Sequence, residues 1–239
     1  MGGEETQVGA LDNKLYILHG WTTNTTRWEP FLETLEKQGI EPVFLKIPGL
    51  SADIDRPWNI DDYVEWLAKT LPENKKVSTL GHSNGGRILL SFALKYPERL
   101  EQIFLVDSAG IRHNDFLSVA KRNIFKTASR IGKKITSSQK AKDALYQVAQ
   151  ESDYNNASPI MKETMKNLIA VDLSNDLKRI STPITIIWGK NDRITPFTDA
   201  LVLKNELQKS KLFPIEGAMH SPQFSNTNQV VEIVKQEFI

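Results

Sequence analysis

The sequence predicts an α/β fold, a mostly parallel sheet with helices on both faces and an inserted helical segment. Short β-branched runs alternate with amphipathic stretches, as strands covered on both sides by helices require. A glycine-flanked serine stands between one such run and the helical stretch after it, Gly81-His82-Ser83-Asn84-Gly85-Gly86. From residue 111 to about 180 the strand rhythm stops. With 239 residues, 40% of them hydrophobic, the chain can bury a substantial core. The expected division is a core of residues 1–110 and 181–239 and a helical cap over 111–180.

Strands are expected over 14–18, 42–47, 76–80, 102–107, 183–188 and 211–215. Thr26-Arg27-Trp28-Glu29 reads as a capping box, in which the threonine oxygen and the glutamate side chain satisfy orphan amides of a helix ending near Gly39. Residues 61–71, 85–96, 198–208 and 226–238 carry the remaining apolar stripes at helical spacing. Within 111–180 the apolar positions recur at helical intervals, Phe116 and Ile124 among them. Ser158-Pro159 reads there as an N-cap followed by proline at the first helical position, where its missing N–H costs nothing.

Composition narrows the function classes. A formal net charge of +1 gives no global attraction to nucleic acid or an anionic membrane, so neither is expected as a partner. The absence of cysteine excludes disulfides and thiol-ligated metals. No segment approaches the roughly 18–20 apolar residues that a spanning helix needs, and a cytoplasmic protein is the expectation. Met1-Gly2-Gly3-Glu4-Glu5-Thr6 fits a myristoylation pattern, a short motif better read as an irregular start.

The G-x-S-x-G stretch carries the chemistry. Between a strand and a helix it forces the serine into a tight turn, exposing Ser83 Oγ above the sheet near the positive end of the following helix. A serine hydroxyl needs a base, and the base needs an orienting group. Of the four histidines, His19 and His82 lie within motifs of their own and His113 opens the insertion. His220, in Gly217-Ala218-Met219-His220, remains as the base. For the acid, Asp192 follows the apolar run at 183–188 in Gly189-Lys190-Asn191-Asp192; Asp107, ending an adjacent strand, is the alternative.

The order Ser83, Asp192, His220 resembles the α/β-hydrolase superfamily, in its serine esterase form with a helical cap, and is similar to carboxylesterases and meta-cleavage-product hydrolases. His19-Gly20-Trp21 resembles that superfamily's oxyanion loop, which implies the backbone N–H groups of Trp21 and Asn84 as oxyanion donors. Pro48-Gly49 resembles its turn after the second strand. The resemblance implies an initial hairpin, which the little sequence before residue 14 reduces to one strand near 6–11 or none. Two departures stand beside the expected pocket: Thr22 replaces a frequent glycine, and Leu50 follows Gly49 where a second glycine is usual.

The implied activity is hydrolysis of carboxylic esters with short to medium acyl chains through an acyl-enzyme, without cofactor or metal. The substrate pocket is expected to be lined by His19, Trp21, His82, Phe116 and Ile124. Alternatives are C–C bond hydrolysis, thioester or methyl ester cleavage on an acyl carrier, and a non-catalytic ligand receptor. Residues 111–150 hold nine Lys or Arg against Asp115 and Asp143, a local charge of +7. This reads as a solvated outer face or, alternatively, as a dock for an acidic partner. The methyl ester hydrolases of the biotin pathway, whose acyl group rides an acidic carrier protein, are similar in this respect. Oligomeric state is not legible.

Overall fold

In the computed structural model, residues 13–112 and 157–238 are described. The strands are β1 (Lys14–Leu18), β2 (Glu41–Phe44), β3 (Val77–His82), β4 (Leu100–Val106), β5 (Ile184–Gly189) and β6 (Ser210–Ile215). They form a six-stranded sheet in the order β2-β1-β3-β4-β5-β6, with every neighbouring pair parallel. The expected strand near 6–11 lies outside the described residues, as do Phe116 and Ile124.

The helices are α1 (Glu29–Lys37), α2 (Ile60–Thr70), α3 (Asn84–Lys95), α4 (Pro159–Ile169), α5 (Phe197–Glu206), α6 (Pro222–Ser225) and α7 (Thr227–Glu237). Alternation along each strand splits the core in two. Leu15, Ile17, Phe104, Val106 and Ile187 face the layer built by Phe31 and Leu35 of α1 and by Val230, Val231 and Val234 of α7. Tyr16, Leu18, Ile103, Leu105, Ile186 and Trp188 face the other layer, with Tyr63 and Leu67 of α2, Ile88 and Leu89 of α3 and Leu203 of α5. Each fully buried side chain of this kind contributes roughly 1.5–3 kcal/mol. Helix α3 is buried on most of its circumference, which explains why Arg87-Ile88-Leu89-Leu90-Ser91-Phe92-Ala93 reads as more apolar than a surface helix.

Two local expectations change. Residues Thr26–Trp28 form a 3-10 turn rather than a capping box, because Asn24 Oδ1 accepts from both the Thr26 amide and its hydroxyl. Among the described residues, a capping box forms at α2, where Asn59 and Asp62 exchange side-chain to backbone bonds. Strand β2 ends at Phe44 rather than Ile47. The Ile47 amide donates to Ser51 Oγ at 2.7 Å and the Ile47 carbonyl accepts from Leu50 and Ser51, closing the turn through Pro48-Gly49.

The described ends of the inserted segment meet, since the Leu173 amide donates to Gly110 O at 2.9 Å. Ser158 caps α4 through the Met161 amide, with Pro159 at the first helical position as the sequence predicts. Helix α4 docks on the segment before α2: Trp58 N–H donates to Thr164 Oγ1, and Asn167 Nδ2 donates to Trp58 O. Its Met161 thioether packs against Gly49, so α4 lies beside the turn at the C-terminal end of β2.

Candidate active site

Strand β3 passes into α3 through Ser83, whose φ of 52° and ψ of −117° lie in a region that a non-glycine residue adopts only when held there. Such a conformation costs about 1–3 kcal/mol. Backbone bonds hold it: Ser83 N–H donates to Val106 O at 3.1 Å, and Ser83 O accepts from the amides of Gly86 and Ala109. Two glycines permit the turn. A β-carbon at Gly81 would lie 2.7 Å from Gly86 Cα, and one at Gly85 would overlap the carbonyl oxygen of Leu18 in β1.

Strands β5 and β6 deliver the other two side chains. Their register aligns Gly189 with Ile215, so the loops that follow run side by side. The Asn191 amide donates to Ala218 O, and Gly189 lies so close to the Ala218 and Met219 carbonyls that no side chain fits there. From the elbow, His82 Nε2–H donates to His220 O at 2.8 Å, fixing the histidine loop from the far side.

The three candidates converge. His220 Nε2 lies 3.1 Å from Ser83 Oγ, and His220 Nδ1 lies 2.8 Å from Asp192 Oδ2. Both His220 and Asp192 are buried. With Nδ1–H donating to the carboxylate, Nε2 is the acceptor for the serine proton, the tautomer a general base needs. The Asp192 carboxylate is saturated with donors: Oδ1 accepts from the amides of Ile194 and Thr195, and Oδ2 accepts from Thr195 Oγ1 at 2.7 Å as well as from His220.

Thr195 is the residue that sequence reasoning missed. Its hydroxyl also lies 3.2 Å from His220 Nδ1 and 3.1 Å from Asp107 O, so it touches both members of the acid–base pair. The available signal was the spacing Asp192-Arg193-Ile194-Thr195, in which an aspartate side chain caps the backbone two and three residues on. Trp188 Nε1–H fastens the same loop by donating to Thr195 O.

Asp107, the alternative acid, occupies a different role. It is fully buried with φ at 42°, its Oδ1 accepts from the Gly189 amide, and its Oδ2 has no partner. Burial, reinforced by the nearby Asp192 charge, pushes its carboxyl well above the usual carboxylate range. The histidine bonds to Asp192, not to Asp107.

A model of the family described as serine aminopeptidase, S33, matches residues 9–225. The chain belongs to that family. It is an α/β hydrolase in fold and in the order of its motifs. Among curated relatives, a pimeloyl-[acyl-carrier protein] methyl ester esterase of Nitrosomonas europaea is 27% identical, over 91% of this chain and 92% of its own length. Among solved structures, a lipase-esterase related protein from Clostridium acetobutylicum superposes with a TM-score of 0.72 at 21% identity, covering 95% of this chain and 94% of that one. A meta-cleavage product hydrolase from Pseudomonas fluorescens gives 0.66 at 18% identity, over 93% and 89%.

The remaining expected residues of this α/β hydrolase divide between the site and its support. A β-carbon at Gly20 would stand 3.1 Å from Ser83 Cβ, so the His19-Gly20-Trp21 loop lies directly against the elbow. Trp21 and Asn84 are both buried there. The expectation that His19 and His82 line the pocket is corrected: they are 0% and 2% exposed and serve as struts. His19 Nδ1–H donates to Gly20 O, Nε2 accepts from Ser51 Oγ, and the ring stacks on Phe44. Burial lowers its pKa to about 4 and holds His82 well below the usual imidazole range, so both are neutral near pH 7. No described helix is long and apolar enough to cross a membrane.

Among the described residues, ligand atoms of His82, Asp107 and His220 lie within 4.8 Å of one another, the one grouping with metal-ligand character. His82 Nε2 is committed to a carbonyl and both nitrogens of His220 to Ser83 and Asp192. The donor set therefore fits proton transfer better than metal coordination.

Proposed function

We propose that the protein is a serine hydrolase of carboxylic esters with short to medium acyl chains, acting through an acyl-enzyme. The observation that carries this reading is the continuous chain of bonds from Ser83 Oγ through His220 to Asp192. Ser83 Oγ attacks the ester carbonyl as His220 Nε2 takes its proton, and Asp192 holds the imidazole and stabilises the imidazolium. The negative charge formed on the carbonyl oxygen is met by the backbone amides of Trp21 and Asn84; losing one such donor costs about 10² to 10³ in turnover. Collapse breaks the bond to the alcohol oxygen, which receives the proton from His220. Water, deprotonated by the same imidazole, then releases the acid and restores Ser83.

Purified protein and Ser83→Ala are to be compared on p-nitrophenyl esters from acetate to decanoate. Turnover confined to the unsubstituted protein and strongest on the shorter chains is the expected result. Equal rates from both proteins would end the reading.

A second reading is favoured by the curated relatives, whose names specify a methyl ester of an acyl group on a carrier protein. The positive charge of residues 111–150 in the sequence supports an acidic partner. Faster hydrolysis of a carrier-bound methyl ester than of the free acyl methyl ester, with the advantage abolished by salt, would select it. The cap over 111–180 and the cytoplasmic location expected from the sequence belong to this proposal.

A further inference from the structure

Directly after Ser83, the chain places two hydrogen-bond donors where the ester chemistry assigned to Ser83 does not use them. Asn84 is 5% exposed, and its Nδ2 is enclosed without a partner. Its Oδ1 accepts from Arg87 Nη1 at 2.9 Å, so the two side chains form one unit along the i, i+3 face of α3. Arg87 keeps some surface, yet its Nε is sealed from solvent and also lacks a partner. No carboxylate among the described residues forms an ion pair with it. Burial lowers its pKa only to about 10, which leaves the guanidinium charged at neutral pH.

A partly buried guanidinium held by a neutral carboxamide is incompletely compensated, and the enclosed donors left unmade on Arg87 Nε and Asn84 Nδ2 are costly. An anion drawn against the exposed part of the guanidinium would offset both costs, with the enclosed donors turning to meet it. The guanidinium also sits at the positive end of a twelve-residue helix, whose first-turn field acts in the same direction. Arg87 stands four positions after Ser83, a rise of about 6 Å along the axis.

We infer that Asn84 Nδ2 and Arg87 form a specificity site for a second, anionic group on the ester, a carboxylate held about one helical turn from the scissile carbonyl. The inference deepens the proposed function and rests on Ser83 being the nucleophile. A guanidinium accepts a carboxylate through paired N–H donors, and the carboxamide supplies a third. Substrates of this class are half-esters of short dicarboxylic acids. A substrate presenting an ammonium group there would instead meet like charge.

The test compares kcat/KM for the p-nitrophenyl half-esters of succinic and adipic acid with that for p-nitrophenyl butyrate and hexanoate. The native chain should favour one anionic ester over its neutral counterpart by about tenfold or more. Arg87→Gln should remove that preference while leaving the neutral esters within about threefold, and Arg87→Lys should retain part of it, rising in KM more than falling in kcat. If Arg87→Gln does not fold, the loss of preference is read from Arg87→Lys and from raising the salt concentration with the native chain. Neutral esters turned over as well as or better than anionic ones by the native chain would overturn the inference and leave the esterase reading intact. Absence of turnover on all of them, with no difference from Ser83→Ala, would instead remove the reading beneath it.

Discussion

Replacing Asp192 with asparagine separates the orienting role of the acid from its role in packing. The carboxylate accepts four hydrogen bonds: two on Oδ1 from the amides of Ile194 and Thr195, and two on Oδ2 from Thr195 Oγ1 and His220 Nδ1. An asparagine with its oxygen toward His220 turns its NH₂ on two backbone donors, leaving both unmade at about 1–3 kcal/mol each. The flipped amide keeps both backbone bonds, and Thr195 Oγ1 can turn its proton to Asp107 O, 3.1 Å away. The flipped form is therefore preferred. It presents an N–H to His220 Nδ1, which drives the ring proton to Nε2, where it can no longer accept from Ser83. Loss of the correct tautomer in such a triad costs about 10⁴ in turnover, or about 5 kcal/mol of transition-state stabilisation. Ester hydrolysis of Asp192→Asn should fall by that order while its melting temperature moves by only a few degrees. A variant within tenfold of the native rate, combined with a larger loss in Asp107→Asn, would refute the assignment and transfer the acid to β4.

Three further outcomes follow from the same structure. Gly85→Ala forces a methyl group onto the Leu18 carbonyl at the junction of α3 and β1; overpacking of about 3 kcal/mol should lower the calorimetric melting temperature by about 6–12 °C, and an unchanged transition would contradict the contact. His19 has a folded pKa of about 4 against an ordinary 6.5, so the stability tied to its neutral form is present above 6.5 and lost as pH falls toward 4. That loss is about 3 kcal/mol in total, and His19→Gln should flatten the dependence of the urea midpoint between pH 7 and 4.5, only partly because His82 titrates in the same direction. Asp107 has a raised folded pKa, so its stabilising proton is present below the unfolded value of 3.8 and lost as pH rises. Asp107→Asn, which keeps the bond from Gly189, should match or exceed the native melting temperature at pH 8; a fall of several degrees there would show that the ionised carboxylate is needed.

The sheet was legible because its strands are buried on both faces, and runs such as Ile184-Thr185-Ile186-Ile187-Trp188 have few other uses. The triad residues were legible for a related reason. Each stands just beyond such a run, and a parallel sheet gathers the C-terminal ends of its strands at one edge. What escaped was what side chains do to one another across the chain. Thr195 follows Asp192 closely in sequence, but its reach to Asp107 O and His220 exists only once β4, β5 and β6 are aligned. His19 and His82 stand within motifs of their own, which suggests structural hydrogen-bonders but names no partner; the partners, Ser51, Gly20 and the His220 carbonyl, come only with the fold. The mistaken cap at Thr26 has a local cause: Asn24, two residues earlier, accepts from the Thr26 amide that the Glu29 side chain would have taken, and holds the Thr26 hydroxyl as well.

The most direct test is covalent. A fluorophosphonate should label the native protein stoichiometrically, with peptide mapping by mass spectrometry placing the adduct on Ser83. Labelling should vanish in Ser83→Ala and slow by orders of magnitude in His220→Ala. An adduct on any other residue, or ester turnover that persists in Ser83→Ala, would contradict the account.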